Sequence, residues 1–317
     1  MMAAASKFGV TDGLLSGSVH FVRRSQTDLI PPRTRVFCHA SVDCRSSAKE
    51  CPQFRPCIDI HKGKVKQIVG STLADQHEKA EKLVTNFETE KSAAEYAQLY
   101  QRDGLFGGHV IMLGADEASQ RSALEAVNAF PGGLQIGGGV TPNNAQMYID
   151  NGASHVIVTS FIFTDGRLDY GKLEELVRVV GKDKLVIDLS CRRVSEGGDY
   201  AVVTHRWQRF TNFILSKSAM ESLACYADEF LVHGVDVEGK RLGVDKELVA
   251  LLGQWSPIPV TYAGGVSSLA DLELIRDAGA GHVNVTVGSA LDIFGGDLEY
   301  EKVVQWHKQQ CVSLTSP

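Results

Sequence analysis

The chain has 317 residues, of which 44% are hydrophobic and 22% charged, a globular composition long enough to bury a large core. Its net charge of -6 and the absence of a basic cluster argue against a nucleic-acid partner. The sequence contains no run of about 18 apolar residues, so no membrane-spanning helix is predicted. Seven scattered cysteines without metal-ligand spacing predict reduced thiols.

The first fifty residues differ in charge from the remainder. They hold seven Lys or Arg against four acidic residues, are rich in Ser and contain the pair Pro31-Pro32. This composition is typical of an organelle transit peptide, here of the plastid type, although Asp12 and Asp28 are unusual in one. The alternative is a disordered tail without a targeting role. We expect a transit peptide or disordered segment over residues 1–50, a folded domain over 51–317, and a location in the chloroplast stroma.

From Phe54 onward, short β-rich runs alternate with amphipathic helical windows, which predicts parallel βα units. Helix signals between the runs include Ser92 followed by Glu95, a first-turn Pro142, and helix stops at Gly152 and Gly279. Eight strands over about 250 residues predict a single (β/α)8 TIM barrel. The strands are expected to end at Asp59, Leu113, Ile136, Thr159, Asp188, His233, Tyr262 and Val287.

The sequence repeats itself at a separation of almost half the folded domain. The run IDI at 58–60 matches IDL at 187–189, and GGV at 138–140 matches GGV at 264–266, which are separations of 129 and 126 residues. The repeat predicts two half-barrels of four βα units each. The charged stretch from Leu73 to Lys91 has no matching sequence in the second half, so we expect it to be a loop insertion after strand one.

Asp59 and Asp188 follow apolar strand runs at equivalent positions of the two halves. Active sites of this fold lie at the carboxyl ends of the strands, so both carboxylates are expected in the mouth of the barrel, facing each other. One carboxylate can act as a base while the other holds a proton as an acid. The alternative is that each caps a loop or pairs with a lysine.

Glycine-rich turns follow strands three, seven and eight and precede helices. Backbone N–H groups at such turns bind anions, and the region after strands seven and eight commonly holds phosphate in this fold. The repeat implies a second phosphate site across the mouth, so a ligand with a phosphate at each end would span the two aspartates. A tight turn alone is the alternative. The candidate residues are Gly138, Gly139, Thr159 and Ser160 on one side, and Gly264, Gly265, Gly288 and Ser289 on the other.

These motifs together resemble the histidine-biosynthesis isomerases that act on ProFAR, phosphoribosylformimino aminoimidazole-carboxamide ribonucleotide. The resemblance rests on PCIDI at 56–60, KGKV at 62–65, QIGGGV at 135–140, Asp188 and AGGV at 263–266, and it covers about residues 54 to 310. It implies an Amadori rearrangement of an aminoaldose to an aminoketose without metal or organic cofactor, on a substrate with two phosphates. It also implies that Asp59 is the general base and Asp188 the general acid. We expect a monomer that acts on this small molecule.

Two further residues are assigned through the resemblance. Trp207 matches a tryptophan on the loop after strand five that closes over the substrate, with a core aromatic as the alternative. His233 is a candidate for orienting the substrate, with a hydrogen-bonded wall histidine as the alternative. The chain departs from bacterial members, which carry an Asp near the end of strand two, an Arg where Thr141 stands, and a His-Thr then Asp-Gly pattern after strand six.

Other functions remain open at this point. The cyclase subunit of imidazole glycerol phosphate synthase shares the repeat and both aspartates, but it needs a lysine after strand one, for which Lys62, Lys64 and Lys66 are candidates. The tryptophan-pathway isomerase uses a strand-one cysteine as base, whereas Cys57 is expected to fill the barrel one layer below Asp59. A non-catalytic sensor of a phosphorylated ligand would need the anion sites but not both carboxylates.

Overall fold

A computed structural model of the protein describes residues 51–68, 85–114, 116–205, 207–238 and 243–312. The predicted transit peptide, residues 1–50, and residues 69–84, which include residues 73–84 of the predicted insertion, lie outside the described residues. Within the described residues, no helix combines the length and apolar character needed to cross a membrane.

Eight parallel strands form the barrel, each hydrogen-bonded to the next in chain order. The barrel closes where the Arg55 N–H donates to the Val285 carbonyl at 2.8 Å and the Val285 N–H donates to the Gln53 carbonyl at 2.9 Å. The predicted (β/α)8 fold is confirmed. The strands are β1 (Cys57–His61), β2 (Gly108–Met112), β3 (Leu134–Gly137), β4 (Val156–Val158), β5 (Leu185–Asp188), β6 (Glu229–His233), β7 (Val260–Ala263) and β8 (Val283–Thr286).

Helices connect these strands and pack their apolar faces on the outside of the barrel. The predicted capping box is present, with the Glu95 N–H donating to Ser92 Oγ at 3.2 Å and the Ser92 N–H donating to Glu95 Oε2 at 2.8 Å. The helices are α1 (Ala93–Asp103), α2 (Glu117–Ala129), α3 (Pro142–Asp150), α4 (Tyr170–Val180), α5 (Lys217–Leu223), α6 (Lys246–Trp255), α7 (Leu269–Ala278) and α8 (Tyr300–Val312). Short 3-10 turns among the described residues include Ser160–Ile162, Lys182–Lys184 and Asp292–Phe294.

The two halves start their helices in the same way. Asp116 caps the first turn of α2 and Asp245 that of α6, each accepting a backbone N–H with its carboxylate. Helices α3 and α7 both begin with a capping box, on Thr141 and Ser268. The structure therefore shows the half-barrel repeat in local hydrogen bonds as well as in strand order.

The expected loop insertion after β1 is wrong in part. Lys64–Ile68 and Thr85–Glu88 are antiparallel strands that pair Gln67 with Phe87. Phe87 packs edge-on against Phe294 at 5.9 Å between ring centroids, which anchors this hairpin to the barrel. The second half also leaves the barrel after its first strand, in a three-stranded sheet of Cys191–Arg193, Tyr200–Thr204 and Arg209–Ile214. A small hairpin, Phe163–Thr164 with Arg167–Leu168, follows β4.

The interior of the barrel is filled in layers. At the amino-terminal end, Glu229 accepts from Arg55 at 3.1 Å, from Gln135 at 2.7 Å and from Thr261 at 2.5 Å. Above this polar layer lie the apolar side chains Ile111, Ile157, Val186, Leu231 and Ala263. These two layers close the barrel from below, so the site can open only at the carboxyl ends of the strands.

Candidate active site

A cavity of about 530 Å³ opens at the carboxyl ends of the barrel strands. Its walls come from both halves of the repeat, which is where the sequence placed the site. Every residue proposed for the site from the sequence lines this cavity: Asp59, Gly138, Gly139, Thr159, Ser160, Asp188, Trp207, His233, Gly264, Gly265, Gly288 and Ser289.

Asp188, the last residue of β5, is buried and surrounded by donors. Its Oδ1 accepts from the backbone N–H of Ser190 at 2.8 Å and from Ser190 Oγ at 2.7 Å, and it lies 3.4 Å from His233 Nδ1. Its Oδ2 accepts from Thr159 Oγ1 at 3.1 Å. Burial alone would raise the pKa of Asp188, but the charge of His233 and these hydrogen bonds lower it below its ordinary value. Asp188 is therefore held as a carboxylate.

Asp59, on the opposite strand β1, has a different environment. Its Oδ2 accepts from the buried Gln67 Nε2 at 3.2 Å, and Gln67 comes from the hairpin strand that follows β1. Burial and the neighbouring charge of Glu238 raise the pKa of Asp59 to about 7, although His233 and Gln67 act in the other direction. A carboxyl with this pKa exchanges its proton near neutral pH.

His233 ends β6 and stands between the two carboxylates. Burial alone would lower the pKa of His233, but the charge of Asp188, the hydrogen bond to it, and the charges of Glu238 and Asp59 raise the pKa to about 9. A second histidine, His109 on β2, packs edge-on against it with ring centroids 6.2 Å apart. Burial and the charge of His233 lower the pKa of His109 to about 3, so His109 is neutral. The mouth thus holds one cationic and one neutral imidazole.

The unequal environments of the two aspartates arise where the repeat breaks down. Thr159 follows β4 and donates to Asp188, whereas its repeat counterpart, Thr286 at the end of β8, has a buried Oγ1 without a hydrogen-bond partner among the described residues. Two equivalent carboxylates are thereby given different proton affinities, which acid–base catalysis by a pair requires.

The glycine turns adopt backbone conformations that other residues rarely reach. Gly138 and Gly139 have φ of 94° and 72°, and Gly264 and Gly265 have φ of 123° and 75°. A Cβ on Gly138 would lie 2.1 Å from the Met112 carbonyl oxygen. Each pair runs into the start of a helix, α3 or α7, so backbone N–H groups and the helix N-terminus favour an anion at both places.

Trp207 lies in the mouth, which excludes the core-aromatic alternative. Its ring centroid is 5.6 Å from that of His233. It follows the strand Tyr200–Thr204, and both His205 and Trp207 have left-handed backbone, with φ of 53° and 66°. The turn is held on the barrel by the His205 N–H, which donates to Ser160 Oγ at 3.1 Å. Non-glycine residues in this conformation are concentrated at functional sites.

Residues that line the mouth but were not proposed from the sequence include Gln67, His109 and Glu238. Gln67 lies two residues after the KGKV motif at 62–65, and Glu238 lies five residues after His233, but neither was proposed for the site. For His109 the signal was alternation, because it lies two residues before Ile111 on β2 and shares the inward face. Burial and the charge of His233 act in opposite directions on Glu238, and the net effect raises its pKa.

The fold and the site define a (β/α)8-barrel protein with two carboxylates of unequal proton affinity in a mouth with glycine turns on both sides. The chain belongs to the histidine biosynthesis protein family, whose model matches residues 53–299.

Three relatives carry the same name, 1-(5-phosphoribosyl)-5-((5-phosphoribosylamino)methylideneamino) imidazole-4-carboxamide isomerase. A Medicago truncatula protein, named as chloroplastic, is 64% identical over 83% of this chain and 84% of its own length. A Candida albicans protein is 44% identical over 81% of this chain and 97% of its own length. A Saccharomyces cerevisiae protein is 40% identical over 81% of this chain and 99% of its own length.

Proposed function

We propose that this chain is an aldose–ketose isomerase that converts ProFAR to its ribulosyl isomer by an Amadori rearrangement in histidine biosynthesis. The observation that carries the proposal is the pair Asp59 and Asp188, which end facing strands of one cavity and differ in proton affinity. Family membership and three relatives named as this isomerase support the same reaction.

In this scheme the two carboxylates act on opposite sides of the ribose. Asp59 is the general base at C2′, and a pKa near 7 suits a base that must be ionised before it accepts a proton. The Asp188 side of the mouth supplies the proton to the ring oxygen. The scheme calls on no metal or organic cofactor.

The glycine turns are proposed to hold the two phosphates. One phosphate would bind at Gly138, Gly139, Thr159 and Ser160, and the other at Gly264, Gly265, Gly288 and Ser289. No lysine or arginine of the described residues lines the cavity, so backbone N–H groups, hydroxyls and helix N-termini would contribute most of the binding. Trp207 would pack over the substrate between them.

The cyclase alternative is disfavoured by the strand that follows β1. Lys64 and Lys66 pair with Glu88 at 3.2 Å and 2.7 Å, and Lys64 also pairs with Glu90. The side chain that this strand contributes to the mouth is Gln67, which carries no charge. A sensor would bind phosphates without needing two aspartates of unequal proton affinity, so it explains less of the site.

We also propose that residues 1–50 direct the chain to the plastid. The family match begins at residue 53, and 81% of this chain covers the fungal relatives almost end to end. The Medicago truncatula relative is named as chloroplastic. Fusion of residues 1–50 to a fluorescent protein tests the proposal, because fluorescence that stays outside plastids would refute it.

The activity is tested by incubating the purified chain with ProFAR and following the aminoketose product by chromatography. Turnover by the wild type, unchanged by a chelator, and its loss in Asp59→Asn support the proposal. The cyclase is tested in parallel with the ribulosyl isomer and ammonia. Consumption of that compound, without action on ProFAR, would identify a cyclase, and binding of ProFAR without turnover a sensor.

A further inference from the structure

We propose that the His233 imidazolium donates the proton that opens the ribose ring, and that Asp188 is the positioning group that holds this imidazolium in place. The inference rests on the isomerase function proposed above and makes His233, rather than Asp188 itself, the residue that gives its proton to the ring oxygen.

The hydrogen bonds of Asp188 leave it little capacity to act as a proton donor. Its Oδ1 receives the Ser190 N–H and the Ser190 hydroxyl and faces His233 Nδ1, and its Oδ2 receives the Thr159 hydroxyl. All four are donors to an ionised carboxylate. A proton on Oδ1 would compete with the Ser190 backbone N–H, which can only donate, and a proton on Oδ2 would require the Thr159 hydroxyl to turn from donor to acceptor. The geometry is that of a fixed anion.

His233 is placed to use this anion. Its Nδ1 lies 3.4 Å from Asp188 Oδ1 and 3.3 Å from Ser190 Oγ, so Nδ1 is turned toward β5. When Nδ1 donates to a carboxylate, a protonated imidazole presents its second proton on Nε2, in the manner of a carboxylate–histidine pair. The side chain is only 12% exposed, so bulk water competes little for that proton.

The three carboxylates around His233 favour the protonated imidazole, and only burial opposes it. Asp188 faces it from β5, Asp59 from β1 and Glu238 from the loop after β6, and all three carry negative charge when ionised. His109 faces it from β2 but is neutral. The Trp207 ring lies 5.6 Å away, within the range where an aromatic face attracts a cation. Burial alone opposes the charge, and the net effect is the pKa of about 9.

With His233 as the acid and Asp59 as the base, every proton and electron pair of the reaction is accounted for. The Nε2 proton passes to the ring oxygen as the C1′–O bond breaks, and the nitrogen lone pair on C1′ forms the C=N bond. Asp59 then removes the C2′ proton, the C–H electrons form the C1′=C2′ bond, and the π electrons of the C=N bond return to nitrogen. Return of the Asp59 proton to C1′ and loss of the O2′ proton to neutral His233 give the ketone. Both residues end in their starting states.

The substitution His233→Gln tests the assignment, because glutamine keeps a donor toward Asp188 but carries no ionisable proton. The matched control is His155→Gln, which removes another histidine–carboxylate pair, His155 Nε2 to Asp228 Oδ2 at 3.2 Å, away from the mouth. We expect His233→Gln to lower kcat on the order of 100-fold or more, the usual scale for loss of a general acid, and the control to retain wild-type turnover. The descending limb of the wild-type pH profile, near pH 9, should be absent from His233→Gln.

Histidine nitrogen chemical shifts give a readout that needs no turnover. In ¹⁵N-labelled full-length protein, His233 should titrate near pH 9, and in Asp188→Asn its pKa should fall. Titration of His233 near 6.5, its ordinary value, would overturn the inference. So would a His233→Gln variant that turns over ProFAR normally or keeps the descending limb, while the isomerase function stands. A wild-type chain that makes no product would refute the proposed function and this inference with it.

Discussion

Gly265 should be the most sensitive position of the proposed phosphate turn after β7. Its φ is 75°, and a Cβ there would lie 2.1 Å from the Gly243 carbonyl oxygen, which belongs to the loop after β6. Real Cβ contacts do not fall below 3.0 Å. In Gly265→Ala, one of the two backbone segments must therefore move by about 0.9 Å. The Gly243 N–H also donates to the Gly265 carbonyl at 3.1 Å, so the two segments would be pushed apart where they are bonded.

Gly265→Ala should lose stability for two reasons, the left-handed backbone conformation and the steric overlap, and a substitution at Gly104 separates the two. Gly104 ends α1 with a φ of 73° and has nothing within 4 Å of a Cβ, so Gly104→Ala measures the left-handed conformation alone, about 1 to 2 kcal/mol. Gly265→Ala should lose a similar amount plus about 1 to 3 kcal/mol for the overlap. A displacement of about 1 Å near a reacting centre costs about 100-fold in rate, so kcat/KM should fall by this factor only in Gly265→Ala.

Urea unfolding followed by circular dichroism and initial rates with ProFAR measure both effects. Equal losses of stability in the two variants would mean that the close approach to Gly243 has no energetic consequence. Normal kcat/KM in Gly265→Ala, together with a clear loss of stability, would mean that the turn is only structural and that the phosphate lies elsewhere.

Three further predictions follow from other parts of the chain. The pH profile of kcat/KM should be bell-shaped, rising as Asp59 ionises near pH 7 and falling as His233 loses its proton near pH 9. A rate independent of pH between 6 and 10 would contradict both the base role of Asp59 and the acid role of His233. A chain that begins at Cys51 should keep the wild-type kcat and melting temperature, and a large loss of either would make residues 1–50 part of the enzyme. Arg55→Met should lower the free energy of unfolding in urea by about 3 to 5 kcal/mol, because it leaves the buried Glu229 carboxylate without its cationic partner. Adding Glu229→Gln should recover most of the loss.

The order of the elements and the ends of the strands were predictable because the strands of this fold are short apolar runs that end at polar or glycine residues. All eight predicted strand ends lie within two residues of the observed ones, from Asp59 in β1 to Val287 after β8. The positions of Asp59 and Asp188 were predictable for the same reason: a carboxylate that directly follows a buried run must lie at the carboxyl end of its strand. The half-barrel repeat then predicted that Asp59 and Asp188 face each other across the barrel.

The electrostatics of the site were not predictable, because they depend on residues that are distant in sequence. Ser190 lies only two residues from Asp188, but the other donors, Thr159 and His233, lie 29 and 45 residues away, and together the three hold the carboxylate ionised. Gln67 reaches Asp59 only because a hairpin folds back over the mouth, and that hairpin was expected to be a loop in part. Periodicity places a side chain on a face but does not pair it with a partner.

The roles of the two sides of the mouth can be separated with a substrate analogue whose ribose is already open. If the Asp188–His233 side delivers a proton to the ring oxygen, Asp188→Asn and His233→Gln impair ring opening, because the first removes the anion that holds the imidazolium. If Asp59 removes the C2′ proton, Asp59→Asn impairs the later step. Each change should lower turnover of ProFAR on the order of 100-fold to 10,000-fold.

The open analogue needs no acid at the ring oxygen, and water can take the O2′ proton that His233 accepts in the wild type. It should therefore recover much of the lost rate in Asp188→Asn and His233→Gln and none in Asp59→Asn. Exchange of the C2′ hydrogen with heavy water, followed by NMR on the same samples, should persist in the first two variants and vanish in the third. Rescue of Asp59→Asn alone would mean that acid and base are reversed. Rescue of His233→Gln without rescue of Asp188→Asn would mean that Asp188 also acts after ring opening, because a group that serves only to hold the imidazolium becomes dispensable once the ring is open.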